Sequence, residues 1–147
     1  MLVPIVAACA ASVTGLQAHH ALGDEFFRGK NIELIISNSA GGGYDAYART
    51  VARHISQHLP GAPTIVPKNM PGAGGITAAN FIYSIVPRDG SVIGALGNTV
   101  PFEPIFRPKV AKFDADKFNW LGSPNAEVGL LIAWHTSQIK TFEDAKK

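Results

Sequence analysis

The chain predicts an α/β fold: an open, largely parallel sheet flanked by helices. Two observations carry this reading. Short β-branched runs alternate with stretches of helical periodicity, and a glycine-rich loop lies between strand and helix twice. The first loop is Ser39-Ala40-Gly41-Gly42-Gly43-Tyr44-Asp45 and the second is Asn69-Met70-Pro71-Gly72-Ala73-Gly74-Gly75. Glycine lets the backbone turn tightly and lets a ligand approach the main chain closely. A helix that begins just beyond such a loop points unpaired N–H groups and the positive end of its dipole at that space.

In chain order, the polar entry Asp24 to Lys30 contains Phe26 and Phe27, suited to packing at the domain edge. Ile32 to Ile36 is a β-branched run bounded by polar residues, a buried strand. From Tyr44 to Leu59 the pattern is helical, with Tyr47, Val51 and Ile55 recurring every four residues beside Ala48 and Ala52. Pro60-Gly61 ends that helix. Thr64 to Val66 is the second strand, Ile76 to Val86 the second helix, closed by Pro87-Arg88-Asp89-Gly90, and Ser91 to Gly97 the third strand. Strand, helix, strand, helix, strand with short connections is the order of a parallel sheet. Ligands bind such sheets outside the carboxyl ends of the strands. Both glycine loops and Gly97-Asn98-Thr99 lie there.

Beyond Thr99 the prolines Pro101, Pro104 and Pro108 predict an irregular excursion. Phe118 to Leu121 and Val128 to Trp134 have the composition of two further strands. Thr141-Phe142-Glu143-Asp144 has the form of a helix start, with Thr141 as N-cap.

Length and composition bound the function. The 147 residues suit one domain, and 46% hydrophobic against 16% charged residues is enough to build a core. The formal charge of +2 comes from scattered Lys and Arg with no basic run, so no nucleic-acid partner is expected. One cysteine, Cys9, excludes an internal disulfide and a cysteine-only metal site. Residues 1–21 are apolar or small, and no Asp, Glu, Lys or Arg occurs before Asp24. A secretory signal peptide, with Val3 to Val13 as its apolar region and cleavage near Ala18 or Ala21, fits better than a membrane span. It lacks the usual basic start, and a buried N-terminal helix is the alternative. Val6-Ala7-Ala8-Cys9 also has the form of a lipoprotein box, but an inert small hydrophobe within the signal is the favoured role for Cys9.

The chemistry of catalysis is thin. Gly72-Ala73-Gly74-Gly75-Ile76-Thr77 has two glycines of a dinucleotide fingerprint but Thr77 in the third position, and no acid stands at a strand end about twenty residues on. The first loop lacks the Lys-Ser/Thr pair of a phosphate loop. His54 and His58 lie one helical turn apart without a third metal ligand, so solvated helix histidines are the favoured reading. His19 and His20 sit beside the proposed cleavage point, and His135 follows an apolar run with no obvious nucleophile beside it. No catalytic residue, metal or cofactor is therefore assigned. Asp45, in the first helical turn, suits the helix dipole. It either caps free N–H groups and shapes the loop, or selects a ligand group; pairing with Arg49 one turn later is compatible with the first. Tyr44 either closes over a ligand or packs.

Several segments together resemble a known family: Gly29-Lys30-Asn31-Ile32, Ala40-Gly41-Gly42-Gly43-Tyr44-Asp45-Ala46-Tyr47-Ala48-Arg49, Asn69 to Gly75, Ala79-Asn80 and Pro87-Arg88-Asp89-Gly90. In this order they resemble the substrate-binding receptors of tripartite tricarboxylate transporters, the Bug proteins, from about Phe27 to Lys147. The resemblance implies an exported, two-lobed binding protein of type II-like architecture, periplasmic and monomeric. It would capture a small carboxylate, such as a di- or tricarboxylate, an aromatic acid or an amino acid, and deliver it to a membrane permease. On that basis residues 1–21 are a signal peptide, 22–140 the first lobe, and 141–147 the start of the crossing to a second lobe absent from this sequence, which would make the chain a truncated form. The ligand residues carried over are Ser39, Ala40, Gly41, Gly42, Gly43, Tyr44 and Asp45 from the first loop, Pro71, Gly72, Ala73, Gly74 and Gly75 from the second, with Asn98 and Thr99. Ala40 stands where the family commonly has proline, leaving the loop less rigid. The rival class is a cytosolic nucleotide- or dinucleotide-binding α/β enzyme domain, weakened by the leader and the imperfect fingerprint.

Overall fold

A computed structural model describes residues 26–126 and 128–146 of the chain. The proposed signal peptide, Cys9, His19 and His20 lie outside these residues. Strand β1 (Asn31–Ile36) is central, with β2 (Thr64–Asn69) on one side and β3 (Val92–Ala95) on the other, both parallel to it. The predicted α/β architecture is therefore present, as a three-stranded sheet in the order β2-β1-β3 with helices on both faces. The central position explains why β1 is the most apolar strand: Ile32, Leu34, Ile35 and Ile36 are all buried, as a parallel strand covered on both faces requires. β2 runs three residues past the predicted Val66, through Pro67. Proline lacks a ladder N–H and is tolerated because β2 is an edge strand.

Helix α1 (Gly43–Ile55) joins β1 to β2, and α2 (Ile76–Ser84) joins β2 to β3. The chain moves one way across the sheet for the first crossover and the opposite way for the second. Crossovers of a common hand then place the two helices on opposite faces. Register confirms this. Leu34 and Ile36 pack with Ala48 and Ala52 of α1, beside Ile65, Ile93 and Ala95. Gly94, paired with Ile35, faces α2 instead, where an added Cβ would meet Ile82 Cδ1 at 2.7 Å. The inward face of α1 is centred on Ala48 rather than on the predicted Tyr47-Val51-Ile55 stripe, and Tyr47 is exposed. Small residues on that face let the helix approach the sheet closely. A short 3-10 turn, Ser56–His58, continues α1 to the Pro60-Gly61 stop, and His54 and His58 are exposed, as read from the sequence.

The second core half lies under α2, where Ile76 and Ala79 pack with Val100, Ala111 and Phe113. The proline-rich excursion is more ordered than its composition suggests. A 3-10 turn, Val100–Phe102, leads into the short helix α3 (Glu103–Phe106), with Pro101 and Pro104 in first-turn positions that need no N–H. Asn80 of α2 pins the return: its Nδ2 donates to Val110 O (3.0 Å) and its Oδ1 accepts from Lys112 N–H (2.7 Å).

Two predicted strands are absent. Phe118 to Leu121 is irregular, because Phe118 is held by aromatic packing on Phe113, Tyr83 and Trp120 rather than by a ladder. Val128 to Trp134 has no strand either, and its apolar side chains are exposed. Strand composition supplies a preference, whereas ladder hydrogen bonds need a neighbouring edge. Neither segment pairs with the sheet. At the other end, Thr141 Oγ1 accepts from Asp144 N–H (3.3 Å) as the predicted cap, opening only a 3-10 turn, Asp144–Lys146.

Candidate functional site

Strand order 2-1-3 reverses direction at β1, and the crevice of a doubly wound sheet opens at such a reversal, outside the strand carboxyl ends. A hollow of about 290 Å³ lies there. Ser37, Asn38 and Ser39 line it from the end of β1, Tyr44 from the first turn of α1, and Pro71, Gly72, Gly74 and Gly75 from the loop before α2. Gly97, Asn98 and Thr99 line it from the end of β3. No lining residue carries a formal charge at neutral pH. What the hollow offers is main-chain amides, hydroxyls, side-chain amides and the N-terminal ends of α1 and α2, a surface matched to a small polar or anionic ligand.

The sequence-derived set divides on this geometry. Ser39, Tyr44, Pro71, Gly72, Gly74, Gly75, Asn98 and Thr99 line the hollow, whereas Ala40, Gly41, Gly42, Gly43, Asp45 and Ala73 do not. Ser37, Asn38 and Gly97 line it as well; the sequence places Gly97 at this edge, but none of the three is among the ligand residues read from it. The available signal was their position, since they are the first residues after the apolar runs of β1 and β3. Ser37 is buried and bridges the two strand ends: its Oγ accepts from Gly97 N–H (3.1 Å) and donates to Asn38 Oδ1 (2.9 Å).

Asp45 has the loop-shaping role. It is 4% exposed. Its Oδ2 accepts from Gly41 N–H (2.9 Å), its Oδ1 from Asn69 Nδ2 (2.8 Å), and both oxygens from Arg49 Nε (2.9 and 3.0 Å). Arg49 Nη2 donates to Asn69 Oδ1 (2.7 Å), and Asn69 Nδ2 also donates to Asn38 O (2.9 Å). One carboxylate thus ties the first loop to the end of β2, and Asp45 is not among the residues that line the hollow. The Gly41 amide, Asn69 and Arg49 hold its pKa at about 2, below the ordinary 3.8. The folded state binds this proton less tightly than the unfolded chain, so the contribution is full above about pH 4 and fades as pH falls through about 2. Asp45→Asn should therefore flatten part of the acid limb in a stability profile followed by circular dichroism.

The second loop owes its shape to glycine. Gly72, Gly74 and Gly75 have φ of +145°, +69° and +96°. Between them Ala73 adopts φ +49°, a conformation that strains an L side chain. Ala73→Gly should raise stability by about 0.5 kcal/mol, relief of left-handed strain offset in part by unfolded-state entropy. Thermal unfolding of the variant checks this.

The fold and the hollow together define a doubly wound α/β lobe with its concavity at the strand ends. The particular likeness is to a solved structure of a periplasmic transporter: 32% identity over 58% of this chain, with a TM-score of 0.51. The match takes in 28% of that structure's chain, so this sequence corresponds to a minor part of its length. At that identity the likeness is one of sequence as well as fold. No protein-family model matches the chain. No curated protein matches it either.

Proposed function

We propose that this chain supplies a ligand-binding lobe of an extracytoplasmic solute receptor. In this reading it captures a small carboxylate and passes it to a membrane permease of the tripartite tricarboxylate type. The observation that carries the proposal is the hollow: neutral, amide-rich and hydroxyl-rich, at the reversal point of a sheet similar to that of a periplasmic transporter. The ordered glycine-loop motifs, which resemble those of Bug receptors, supply the finer assignment. No reaction is proposed; a carboxylate would be held by loop amides and by the ends of α1 and α2. Ser39, Tyr44, Pro71, Gly72, Gly74, Gly75, Asn98 and Thr99 are the proposed contacts. Ala40, Gly41, Gly42, Gly43, Asp45 and Ala73 shape the loops around them. The leader, residues 1–21, is proposed to direct export, and the receptor to act as a monomer.

Calorimetric titration of the purified chain with succinate, citrate, benzoate and glutamate tests the ligand class. Weak binding of at least one of these at millimolar concentration, with none for its amide, is expected, because two-lobed receptors draw much of their affinity from closure of both lobes over the ligand. Heat from none of them would contradict the carboxylate assignment. A fusion of the chain to a reporter active only outside the cytoplasm tests location, and retention with an intact N-terminus would count against it.

A further inference from the structure

We propose that Arg107 is a specificity-determining residue that favours ligands carrying a second carboxylate, and that Glu103 holds it in place. The inference rests on the carboxylate reading of the hollow.

Glu103 and Arg107 stand one turn apart at and just beyond α3, in the segment that follows Thr99. Arg107 Nε donates to Glu103 Oε2 (2.6 Å), and Nη2 lies 2.5 Å from Oε1, a two-pronged pair. Glu103 is buried, while the Arg107 side chain is 43% exposed. The buried partner fixes the guanidinium; the exposed one keeps the donors of Nη1 for a further acceptor. The pair also lies against the binding loop. A Cβ built on Gly74 would stand 2.8 Å from Arg107 Nη2 and 3.6 Å from Glu103 Oε1. Gly74 lines the hollow, so a fixed cation sits beside a site whose own lining is uncharged. Arg49 is differently placed: its donors go to Asp45 and Asn69, neither of which lines the hollow.

The hollow can satisfy one carboxylate with neutral donors, and a second, reaching past Gly74, would meet Arg107. Guanidinium suits this task because its planar fork accepts two carboxylates on different edges. Glu103 offsets much of the charge, which keeps the preference moderate. Glu103→Gln keeps an acceptor that positions Arg107 but removes the opposing charge, so it should strengthen that preference, whereas a purely structural pair would lose binding of every ligand alike.

The test compares succinate with butyrate, acids of equal carbon length, titrated into the full chain and its variants. The wild-type chain should prefer succinate by roughly tenfold, the scale of one charge-assisted hydrogen bond. Glu103→Gln should raise that ratio and Arg107→Lys should lower it in part. The double variant Glu103→Gln, Arg107→Gln, which leaves no buried charge unpaired, should bring it near one. An unchanged ratio in the double variant, or an equal fall for both acids in every variant, would overturn the role of Arg107 alone. Absence of binding of either acid by the folded wild-type chain would overturn the carboxylate reading and this inference with it.

Discussion

Gly75→Ala should destabilise the chain by about 3 kcal/mol, from left-handed strain together with overpacking. At φ +96° an L side chain is strained wherever it points. Here it also points into the core: a Cβ would lie 2.7 Å from Val100 Cγ2 and 3.3 Å from Ser37 Cβ. Val100 is fully buried and Ser37 nearly so, so neither can step aside without opening the junction of β1, β3 and α2. Gly74→Ala is the informative comparison. Its Cβ meets the half-exposed end of the Arg107 side chain, which can yield by a few tenths of an ångström while staying paired with Glu103, so its cost should stay near the backbone strain alone, about 1–2 kcal/mol. Gly43→Ala, in open space and without a positive φ, should be neutral or slightly stabilising. Urea unfolding of the three variants gives the order directly. Equal costs at Gly75 and Gly74 would mean that Val100 does not confine the loop.

Asp45→Ala should produce the second large loss, several degrees in Tm, together with release of the first glycine loop. The change strips an acceptor from Gly41 N–H, Asn69 Nδ2 and Arg49 Nε at once. Removing one partner of a shielded network leaves the others unsatisfied, which costs more than never building it. Amide exchange separates this from a general loss of stability. Protection should fall at Gly41 before it falls in β1. Because Asp45 does not touch the hollow, any ligand defect should follow the loop and be relieved in part by Asp45→Asn, which keeps the shape and one acceptor.

How far the sequence could be read depended on whether the information was local. β1 was legible because four apolar residues in a run of five between polar flanks suit a strand buried on both faces, and Ile32, Leu34, Ile35 and Ile36 are so buried. The loops were legible because glycine marks backbone that other residues resist, and three of the second loop's glycines have positive φ. Which loop residues face the hollow was not legible. Gly41, Gly42 and Gly43 resemble Gly72, Gly74 and Gly75 in sequence, yet only the second group lines it. The difference comes from Asp45, Asn69 and Arg49, which meet across 24 residues of chain. Val128 to Trp134 failed as a strand for the complementary reason: composition is local, but a ladder requires a partner edge. The Glu103–Arg107 pair left no motif, only a spacing of four within a proline-rich stretch.

The proposed role of the hollow at the ends of β1, β2 and β3 is to bind a carboxylate. Its most direct test is a residue-resolved amide NMR titration of the ¹⁵N-labelled chain with succinate. Saturable shifts confined to Ser39, Tyr44, Gly72, Gly74, Gly75, Asn98, Thr99 and their immediate neighbours are predicted. Shifts that leave these amides unmoved, or that centre on the exposed 131–142 segment, would contradict it.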